Sequence, residues 1–360
     1  MPPNSGETTG VLYESDAETQ DGGLEKDLAQ LKTTDGRKLQ LVWRNIILFI
    51  ILHVSSLYGV WLLFTEAKWA TVVAFPMGLA LTTFGISGGA HRLWSHRTFK
   101  ANLPLKLFYL VTNTFAFQDA VYIWARDHRM HHKYMDTDAD PYNSRRGWFF
   151  SHIGWLCCKK HPEVTAKGKQ IDLSDLERDP LVMFQKKYYM ILMPLIAFIL
   201  PTVLPMYLWG ESLNCSWHIL ALLRWCTSLN LIWLVNSSAH VFGMRPYDKS
   251  ISPTNEKLLI WIRFGEGYHN YHHVFPWDYK CSELGPYSRD VNTWFINCCA
   301  RIGWAYDLKS VSPELVKKRV TRTGDGSHPV WGWGDKDQPS EDIRETTITH
   351  KRKTVQDIKK

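Results

Sequence analysis

The chain has 360 residues, of which 45% are hydrophobic and 13% aromatic, and 17 of them are Trp. Its 42 Lys and Arg residues exceed its 35 Asp and Glu residues by seven, a basic balance too mild to indicate nucleic-acid binding. Charged residues are concentrated at the ends and in the middle of the chain, while long stretches carry almost none. This segregation argues against a purely soluble enzyme and against a disordered protein.

The N-terminal region is polar and acidic from Met1 to Gln30 and has no apolar core behind a basic start. It lacks the features of a cleaved signal peptide, so residues 1–40 are expected to form a disordered, acidic cytosolic tail. The seven cysteines are odd in number and include no CxxC pair. This usage favours reduced thiols over a disulfide framework.

Four apolar stretches are long enough to cross a membrane, which takes about 20 residues of helix. They cover about residues 45–64, 69–90, 188–210 and 213–236, and Arg224 interrupts the last. One Arg at mid-bilayer costs about 2.5–3.5 kcal/mol, which the Leu and Trp residues around it outweigh. The sequence therefore predicts an all-α integral membrane protein with four transmembrane helices. Buried helices of a large soluble protein are the alternative, but those are usually shorter and amphipathic.

Basic residues at the outer flanks of the two pairs of spans orient the protein. The positive-inside rule places both termini and residues 91–187 in the cytosol. Residues 41–310 would form the membrane domain, with a helical cytosolic cap built from 91–187 and 240–310. The apolar stretch from Leu103 to Phe117, broken by Lys106, predicts an interfacial helix. Residues 311–360 are expected to be a charged, loosely ordered cytosolic tail.

Nine of the 15 histidines fall into a few clusters at the predicted cytosolic face. They are the HxxxxH pair His91 and His96, the HxxHH set His128, His131 and His132, the second HxxHH set His269, His272 and His273, and His240 at the end of the fourth span. Positions i, i+3 and i+4 share a helix face, so each HxxHH presents three imidazoles to one point. His91 and His96 lie about 140° apart on an α-helix, so the helix should end or distort between them. Nine nitrogens suit two metal ions, and neutral imidazoles without thiolates favour redox iron over structural zinc.

The helix faces behind these histidines suggest a channel for an acyl chain. Steps of four back from His91 reach Ser87, Thr83 and Leu79, and steps of four back from His240 reach Asn236 and Ile232. Small or apolar residues descending from a metal site would line a narrow tunnel, although packing between spans through small residues explains the same pattern. Asn236, one turn from His240, is a candidate to hold a metal-bound water.

The motifs that carry the histidines resemble those of membrane acyl-CoA desaturases of the stearoyl-CoA desaturase type, and the residues between them resemble insect members. These motifs are GAHRLWSHRTFKA at 89–101, WARDHRMHHKYMDTDADPYNSRRGWFFSHIGW at 124–155 and GEGYHNYHHVFPWDY at 265–279. VNSSAHVFGMRPYD at 235–248 and VWRNIILFIILH at the first span also fit. The resemblance covers roughly residues 40–310.

The resemblance implies a multi-pass enzyme of the endoplasmic-reticulum membrane with its active site in the cytosolic cap. Such an enzyme carries two Fe ions and takes electrons from cytochrome b5 and its reductase. It reduces O2 to water while introducing a cis double bond, most simply at Δ9, into a saturated fatty acyl-CoA. Membrane lipid surrounds it, and nucleic acid is not a partner.

The resemblance also matches individual functional residues of the family to positions in this sequence. The nine ligand histidines of the family match the nine named above, and its water-holding Asn matches Asn236. Its CoA contacts match Asn45, Asp119, Arg126, Asp127, Lys159 and Lys160. The residues that enclose the acyl bend match Gln118, Trp124 and Trp233.

Three positions depart from vertebrate members. Asp119 stands where they usually have Asn, Ile232 where they have Thr beside the bend, and Leu79 where they have a large aromatic at the closed end of the tunnel. We predict that the bulk at Leu79 and Thr83 sets the accepted chain length. The departures leave another regiochemistry, such as Δ11, as an alternative to Δ9.

Three other functions fit parts of the sequence. A His-box membrane hydroxylase would use the same site and is the nearest rival. A metal transporter is disfavoured because its path would need histidines at the membrane midplane, where His53 and His218 are the only candidates. A zinc-dependent membrane hydrolase would be indifferent to O2.

Overall fold

The computed structural model of this protein describes residues 39–262, 266–284, 290–328, 338, 340–347 and 349. The predicted N-terminal tail lies outside these residues except for its last two, and so do 329–337 and 350–360 of the predicted C-terminal tail. The described residues form helices joined by loops, with a single two-stranded sheet among them.

The helices follow one another closely along the chain. In order, the α-helices are α1 (Trp43–Thr65), α2 (Trp69–Thr83), α3 (Leu103–Ala116), α4 (Val121–Tyr134), α5 (Trp155–Cys157), α6 (Pro162–Gly168), α7 (Ser174–Glu177), α8 (Pro180–Met193), α9 (Leu200–Trp209), α10 (Leu213–Cys215), α11 (Arg224–Val241), α12 (Lys257–Ile262), α13 (His269–Val274), α14 (Val291–Arg301), α15 (Pro313–Thr323) and α16 (Ser340–Glu345). The π-helical segments are π1 (Phe84–Ser95), π2 (Phe150–Gly154), π3 (Pro194–Ile199) and π4 (Ser216–Leu223), and a 3₁₀ turn covers Ser144–Arg146. Strands β1 (Lys100–Ala101) and β2 (Ala305–Tyr306) pair antiparallel, with Lys100 opposite Tyr306.

Four continuous helical stretches are long and apolar enough to cross a membrane, which confirms the four predicted spans. Spans one to four are Trp43–Thr65, Trp69–Ser95, Pro180–Trp209 and Leu213–Val241. Span three begins eight residues earlier than predicted, because the Asp179 side chain accepts a hydrogen bond from the Leu181 N–H and starts a helix before the apolar run. Large side chains on the spans face outward, with Trp69 83% and Tyr207 86% exposed. Such surfaces suit lipid and not water.

Arg224 lies buried inside the bundle at the junction of π4 and α11. Its guanidinium donates to three backbone carbonyls, those of Leu220 at 2.9 Å, Phe115 at 2.9 Å and Ala197 at 2.8 Å. It also lies 3.9 Å from the centre of the Phe115 ring. These contacts replace the hydration that a cation loses in a membrane, and they connect spans three and four with the end of α3.

The stretch predicted to be interfacial is helix α3, which packs directly against the C-terminal end of span two. Asn102 caps it by accepting from the Leu105 N–H, and it ends at Phe117, where φ is +47°. Gly85 of π1 allows the close approach, because a Cβ atom there would lie 2.3 Å from the Asn113 nitrogen. Leu105 and Tyr109 of α3 are fully buried in the largest apolar core, while Leu103 and other residues on the opposite side are exposed.

At the ends of the spans farthest from α3, hydrogen bonds join the short connection between spans one and two to the short connection between spans three and four. Glu211 accepts hydrogen bonds from the Thr71 hydroxyl at 2.5 Å, from the Lys68 N–H at 3.0 Å and from the Ser212 N–H at 2.9 Å. The Lys68 ammonium donates to the carbonyls of Trp209 and Gly210. Burial opposes ionisation of Glu211, but these hydrogen bonds hold its pKa below the usual range of a glutamate.

The start of the predicted C-terminal tail differs from the expectation of loose order. Residues 313–323 form helix α15, whose Val316 and Val320 pack in a cluster with Tyr271 of α13. Arg319 forms an ion pair with Asp248 at 2.5 Å. The charged composition of this segment reflects its exposed face, while an apolar i, i+4 pair faces the protein.

Candidate metal centre

His91 and His96 reach the same point because the C-terminal end of span two is π-helical. The His96 N–H donates to the His91 carbonyl five residues back, at 3.0 Å, and the Ser95 hydroxyl donates to the Ala90 carbonyl at 2.7 Å. A turn wider than that of an α-helix brings residues five apart onto one side. The two imidazole rings lie 4.9 Å apart, so the predicted distortion of the helix takes the form of π1.

All nine predicted histidines converge at one place. Helix α4 supplies three, α13 supplies three, π1 and the residue after it supply two, and the end of α11 supplies one. Their ring nitrogens fall into two groups, within each of which the ligand atoms lie no more than 4.8 Å apart. The first group is His91, His96, His128, His132 and His272, and the second is His131, His240, His269 and His273.

The distances within the groups are those of metal ligands. The Nε2 atoms of His96 and His128 lie 2.8 Å apart, and His272 Nε2 lies 2.9 Å from that of His91 and 3.0 Å from that of His132. One imidazole nitrogen, with a single proton or a single lone pair, cannot satisfy two such neighbours. Metal–nitrogen bonds of about 2.1 Å at right angles place neighbouring ligand atoms about 3 Å apart.

His131 also has the surroundings expected of a metal ligand. Its Nε2 atom is buried and has no hydrogen-bond partner among the described residues, while its Nδ1 lies 3.0 Å from Asp140 Oδ1 and 3.1 Å from Oδ2. The carboxylate holds the proton on Nδ1 and so turns the lone pair of Nε2 toward the other histidines of its group. A buried, unpartnered lone pair in this position suits a bound metal ion.

Burial keeps the histidines in the form that binds metals. It lowers the pKa of His96 to about 3, and the positive charge of Arg129 adds to the effect. Burial together with the neighbouring imidazoles lowers the pKa of His128 and His272 well below the usual value. Neutral imidazole is the ligand form, so the site is prepared for a cation at neutral pH.

Polar side chains that the sequence reasoning missed hold the outer nitrogens of other histidines. His240 Nδ1 lies 3.0 Å from the Ser252 hydroxyl, and His272 Nδ1 lies 3.6 Å from the Cys281 sulphur. These partners come from loops 9 to 12 residues away, where no helical spacing could reveal them. Outer partners of this kind fix the ring orientation of metal-binding histidines.

Arg129 fastens the first HxxHH helix to the end of span two. Its guanidinium forms a bidentate pair with Asp175 at 2.9 and 2.7 Å and donates to the carbonyls of Trp94, Ser95 and Asp172. Every N–H group of the side chain faces an acceptor, a geometry that lysine cannot reproduce. Arg129 therefore sets the position of its neighbour His128 relative to His96.

A cavity of about 190 Å³ lies beneath the histidines. A smaller one of about 40 Å³ shares four residues with it and reaches the histidines of both groups. Besides histidines, seven predicted site residues line these cavities, namely Gln118, Asp119, Trp124, Asp127, Ile232, Trp233 and Asn236. Trp124 stacks on His128 at 4.8 Å, and Gln118 donates to the Ser228 hydroxyl at 3.1 Å.

Three of the predicted CoA contacts lie together beside this cavity. Arg126, Asp127 and Lys160 line a groove of about 550 Å³, and Asp127 also lines the cavity of about 190 Å³. The Asp127 carboxylate pairs with both cations, with Arg126 at 2.7 Å and with Lys160 at 2.5 Å. Burial and the nearby Asp127 raise the pKa of Asp119, whose backbone has a φ of +72°.

Four predicted residues are not among those that line the cavity or groove. Asn45 donates to the Leu156 carbonyl at 2.8 Å and so connects span one to the cap. Lys159 is exposed, and its backbone N–H donates to the Gln40 carbonyl. Thr83 and Leu79 lie about one and two turns before Ser87 on span two, and Ser87 does line the cavity of about 40 Å³. The Thr83 hydroxyl donates to the Leu79 carbonyl.

Comparison with known proteins gives a consistent result. The profile of the family described as fatty acid desaturase matches residues 67–293. The acyl-CoA Delta-9 desaturase of Acheta domesticus is 52% identical over 98% of this chain and 100% of its own length, and the acyl-CoA Delta12-desaturase of the same organism is 51% identical over 96% and 97%. The acyl-CoA Delta(11) desaturase of Trichoplusia ni is 50% identical over 89% of this chain and 92% of its own.

Proposed function

Because this chain belongs to the fatty acid desaturase family and is an acyl-CoA desaturase, we propose that it introduces a cis double bond at Δ9 of a saturated fatty acyl-CoA. The observation that carries the proposal is the pair of cavities beneath both histidine groups, the larger of which shares Asp127 with the groove that holds Arg126 and Lys160. An amphiphile with an anionic head and an apolar chain fits this combination of surfaces.

We propose that the two histidine groups hold two iron ions, with Asn236 placing a water beside the second group. The capacity of the cluster to hold metal ions and the use of iron by this family support the assignment. Bound iron supplies the redox chemistry with O2 that side chains lack. Overall, the acyl chain loses two hydrogens, and O2 takes up these, two protons and two electrons to give two molecules of water.

Side chains of the protein would position the substrate and bind its head group. Trp124, Trp233 and Gln118 enclose the acyl chain and exclude water, so that two neighbouring methylenes lie beneath the histidines. Rigid positioning is needed because the methylenes of a saturated chain are chemically alike. Arg126 and Lys160 would bind the phosphates of CoA, with Asp127, Asn45, Asp119 and Lys159 completing the head-group site.

The predicted tunnel continues along span two, where Leu79 and Thr83 would limit the length of the acyl chain. The electrons would come from cytochrome b5 and its reductase. The enzyme would lie in the membrane of the endoplasmic reticulum with both termini and the metal centre in the cytosol, because basic residues flank the spans on that side.

A different regiochemistry is the second candidate. The relatives that act at Δ11 and Δ12 are almost as similar to this chain as the Δ9 relative. Ile232 lies in the wall of both cavities, where a change in side-chain shape alters the path of the acyl chain.

Expression in yeast that lacks its own desaturase tests both candidates. We expect a new monoene in the total fatty acids, with mass spectrometry locating its double bond at Δ9. A double bond at Δ11 would support the second candidate, and a hydroxylated product would indicate the related hydroxylase chemistry. Expressed, iron-loaded protein that forms no monoene when supplied with electrons would contradict the proposal.

A further inference from the structure

A line of hydrogen bonds runs behind the wall of the acyl cavity and joins span one, span four and π2. It consists of the side chains of His53, Asn230, His152 and Ser237. Ser237 is fully buried and His152 is 8% exposed, while His53 and Asn230 are half-buried. Polar side chains that pair with one another across several elements favour one arrangement of those elements.

The contacts of the first half determine where its protons lie. His53 Nδ1 lies 2.7 Å from the Phe49 carbonyl oxygen, so this nitrogen donates and Nε2 accepts. The Asn230 amide nitrogen donates to that Nε2 at 3.2 Å and to the Cys226 carbonyl at 2.9 Å. The Asn230 oxygen then accepts from His152 Nε2 at 3.2 Å.

The second half ends on another backbone carbonyl. His152 Nδ1 lies 3.1 Å from Ser237 Oγ, which lies 2.8 Å from the Trp233 carbonyl oxygen. Because the His152 proton is on Nε2, Nδ1 accepts, and Nδ1 and the Trp233 carbonyl share the single proton of the Ser237 hydroxyl. Trp148 stacks on the His152 ring at 4.6 Å and donates a hydrogen bond to the Ser238 hydroxyl. The Trp148 ring therefore holds one face of the His152 imidazole in place. The line therefore connects the backbone of Phe49 in span one with that of Trp233 in span four.

These two aromatic residues face each other in the cavity. Their rings lie 5.4 Å apart at 87°, and both line the space where the acyl chain is expected. His152 also meets the Trp233 ring edge-on at 5.7 Å. A displacement of either end of the line would thus move the wall against which the chain bends.

We propose that the line His53–Asn230–His152–Ser237 is a positioning element that fixes the Phe49–Trp233 wall and so selects which carbon–carbon bond lies beneath the two histidine groups. This inference rests on the proposed desaturation of an acyl chain in this cavity. Neighbouring methylenes do not differ in reactivity, and a misplacement of about 1 Å changes a rate by orders of magnitude. The wall is then as important for regiochemistry as the residues that touch the reacting carbons.

Replacing Asn230 by Leu tests the inference, because Leu has a similar volume, suits a membrane span and removes the centre of the line. Microsomes from yeast that lacks its own desaturase would be supplied with stearoyl-CoA and NADH, and all monoene positions would be quantified by mass spectrometry. We expect minor regioisomers to rise about tenfold relative to the major one, which corresponds to about 1.4 kcal/mol between the two transition states. The KM for stearoyl-CoA should stay unchanged, because the CoA groove is not altered.

Asn214→Leu is the matched control. Asn214 donates to the Tyr58 hydroxyl at 2.9 Å and so joins the same two spans, about 24 Å from Asn230 along the helix. This variant should keep the isomer ratio of the unaltered enzyme. If Asn230→Leu lowers the rate but leaves the ratio unchanged, the line is a structural connection only and the inference is wrong.

Two further variants keep the test decisive if Asn230→Leu fails to fold. Ser237→Ala removes one hydroxyl at the end of the line and should raise the share of minor regioisomers, as Asn230→Leu does. His53→Gln keeps a donor and an acceptor at the other end and should retain most of the isomer ratio of the unaltered enzyme. An unchanged ratio in Ser237→Ala would overturn the inference. The major product of the unaltered enzyme tests the proposed Δ9 position separately. A major product at Δ11 would contradict that position, but the isomer ratios of the variants would still test the role of the hydrogen-bonded line.

Discussion

Asp140 provides a direct test of the metal centre, because both of its carboxylate oxygens are used. Each oxygen contacts His131 Nδ1, and Oδ1 also accepts from the Tyr142 N–H at 2.9 Å while Oδ2 accepts from the Asp136 N–H at 3.0 Å. Asn at this position keeps one oxygen and turns an NH2 group toward a backbone N–H. We therefore expect Asp140→Asn to leave one buried donor unsatisfied, at a cost of about 1–3 kcal/mol in the free energy of unfolding.

Metal affinity should fall as well, because Asn lacks the negative charge that makes His131 a stronger ligand. Loss of such an outer partner lowers metal affinity about 10–100-fold, or about 1.4–2.7 kcal/mol. Purified protein would be dialysed against graded chelator, and the retained iron and the thermal midpoint would be measured for each sample. Asp140→Asn should lose iron at a correspondingly lower chelator concentration.

Asp136→Asn is the matched control for this experiment. Asp136 is buried nearby but accepts from the Ser144 hydroxyl at 2.6 Å and not from a histidine, and Asn tolerates its φ of +61°. Its iron retention should match that of the unaltered protein. Equal retention by Asp140→Asn, or an equal loss by both variants, would refute the assigned role of Asp140.

Three further predictions follow from other parts of the molecule. Leu79→Trp should shift the monoenes to shorter chains in the fatty-acid profile, and an unchanged profile would contradict the tunnel. Arg129→Lys should lower the free energy of unfolding by about 2–4 kcal/mol, measured as a lower thermal midpoint in detergent, because an ammonium cannot replace the bidentate contact with Asp175. Glu211→Gln should also lower the midpoint at neutral pH. Because the pKa of Glu211 is lowered by folding, its contribution is complete above about pH 4.3 and disappears as the pH falls through the lowered value, so the two midpoints should converge in acid.

The candidate site was largely predictable because its ligands repeat at helical spacings. The i, i+3, i+4 pattern of each HxxHH places three imidazoles on one face without knowledge of the fold, and the ends of two spans bring the others to the same side of the membrane. The resemblance to acyl-CoA desaturases also pointed to seven residues that line the cavity. Lys159 and Asn45 are not among the residues lining the groove, so their place in the head-group site rests on the resemblance alone and stays a prediction.

Contacts between distant segments were not predictable from the sequence. Arg129 and Asp175 are 46 residues apart, and their pairing follows from the arrangement of α4 and α7. The π-helical turns have no hydrophobic period of their own, so only the five-residue spacing of His91 and His96 indicated one. Helix α15 was mistaken for loose tail because its charges dominate the composition, although the spacing of Val316 and Val320 indicated a helix with one buried side.

The carbonyls that surround Arg224 have a consequence for the biogenesis of the protein. Span four carries this cation into the membrane, and two of its three partners, the Phe115 and Ala197 carbonyls, belong to α3 and to span three. The insertion cost of about 2.5–3.5 kcal/mol is therefore offset only when span four packs against both elements, and the fourth span is stable in lipid as part of the assembled bundle. Until that packing forms, the guanidinium is exposed to the bilayer, so stable insertion of the fourth span is coupled to its assembly with span three and α3.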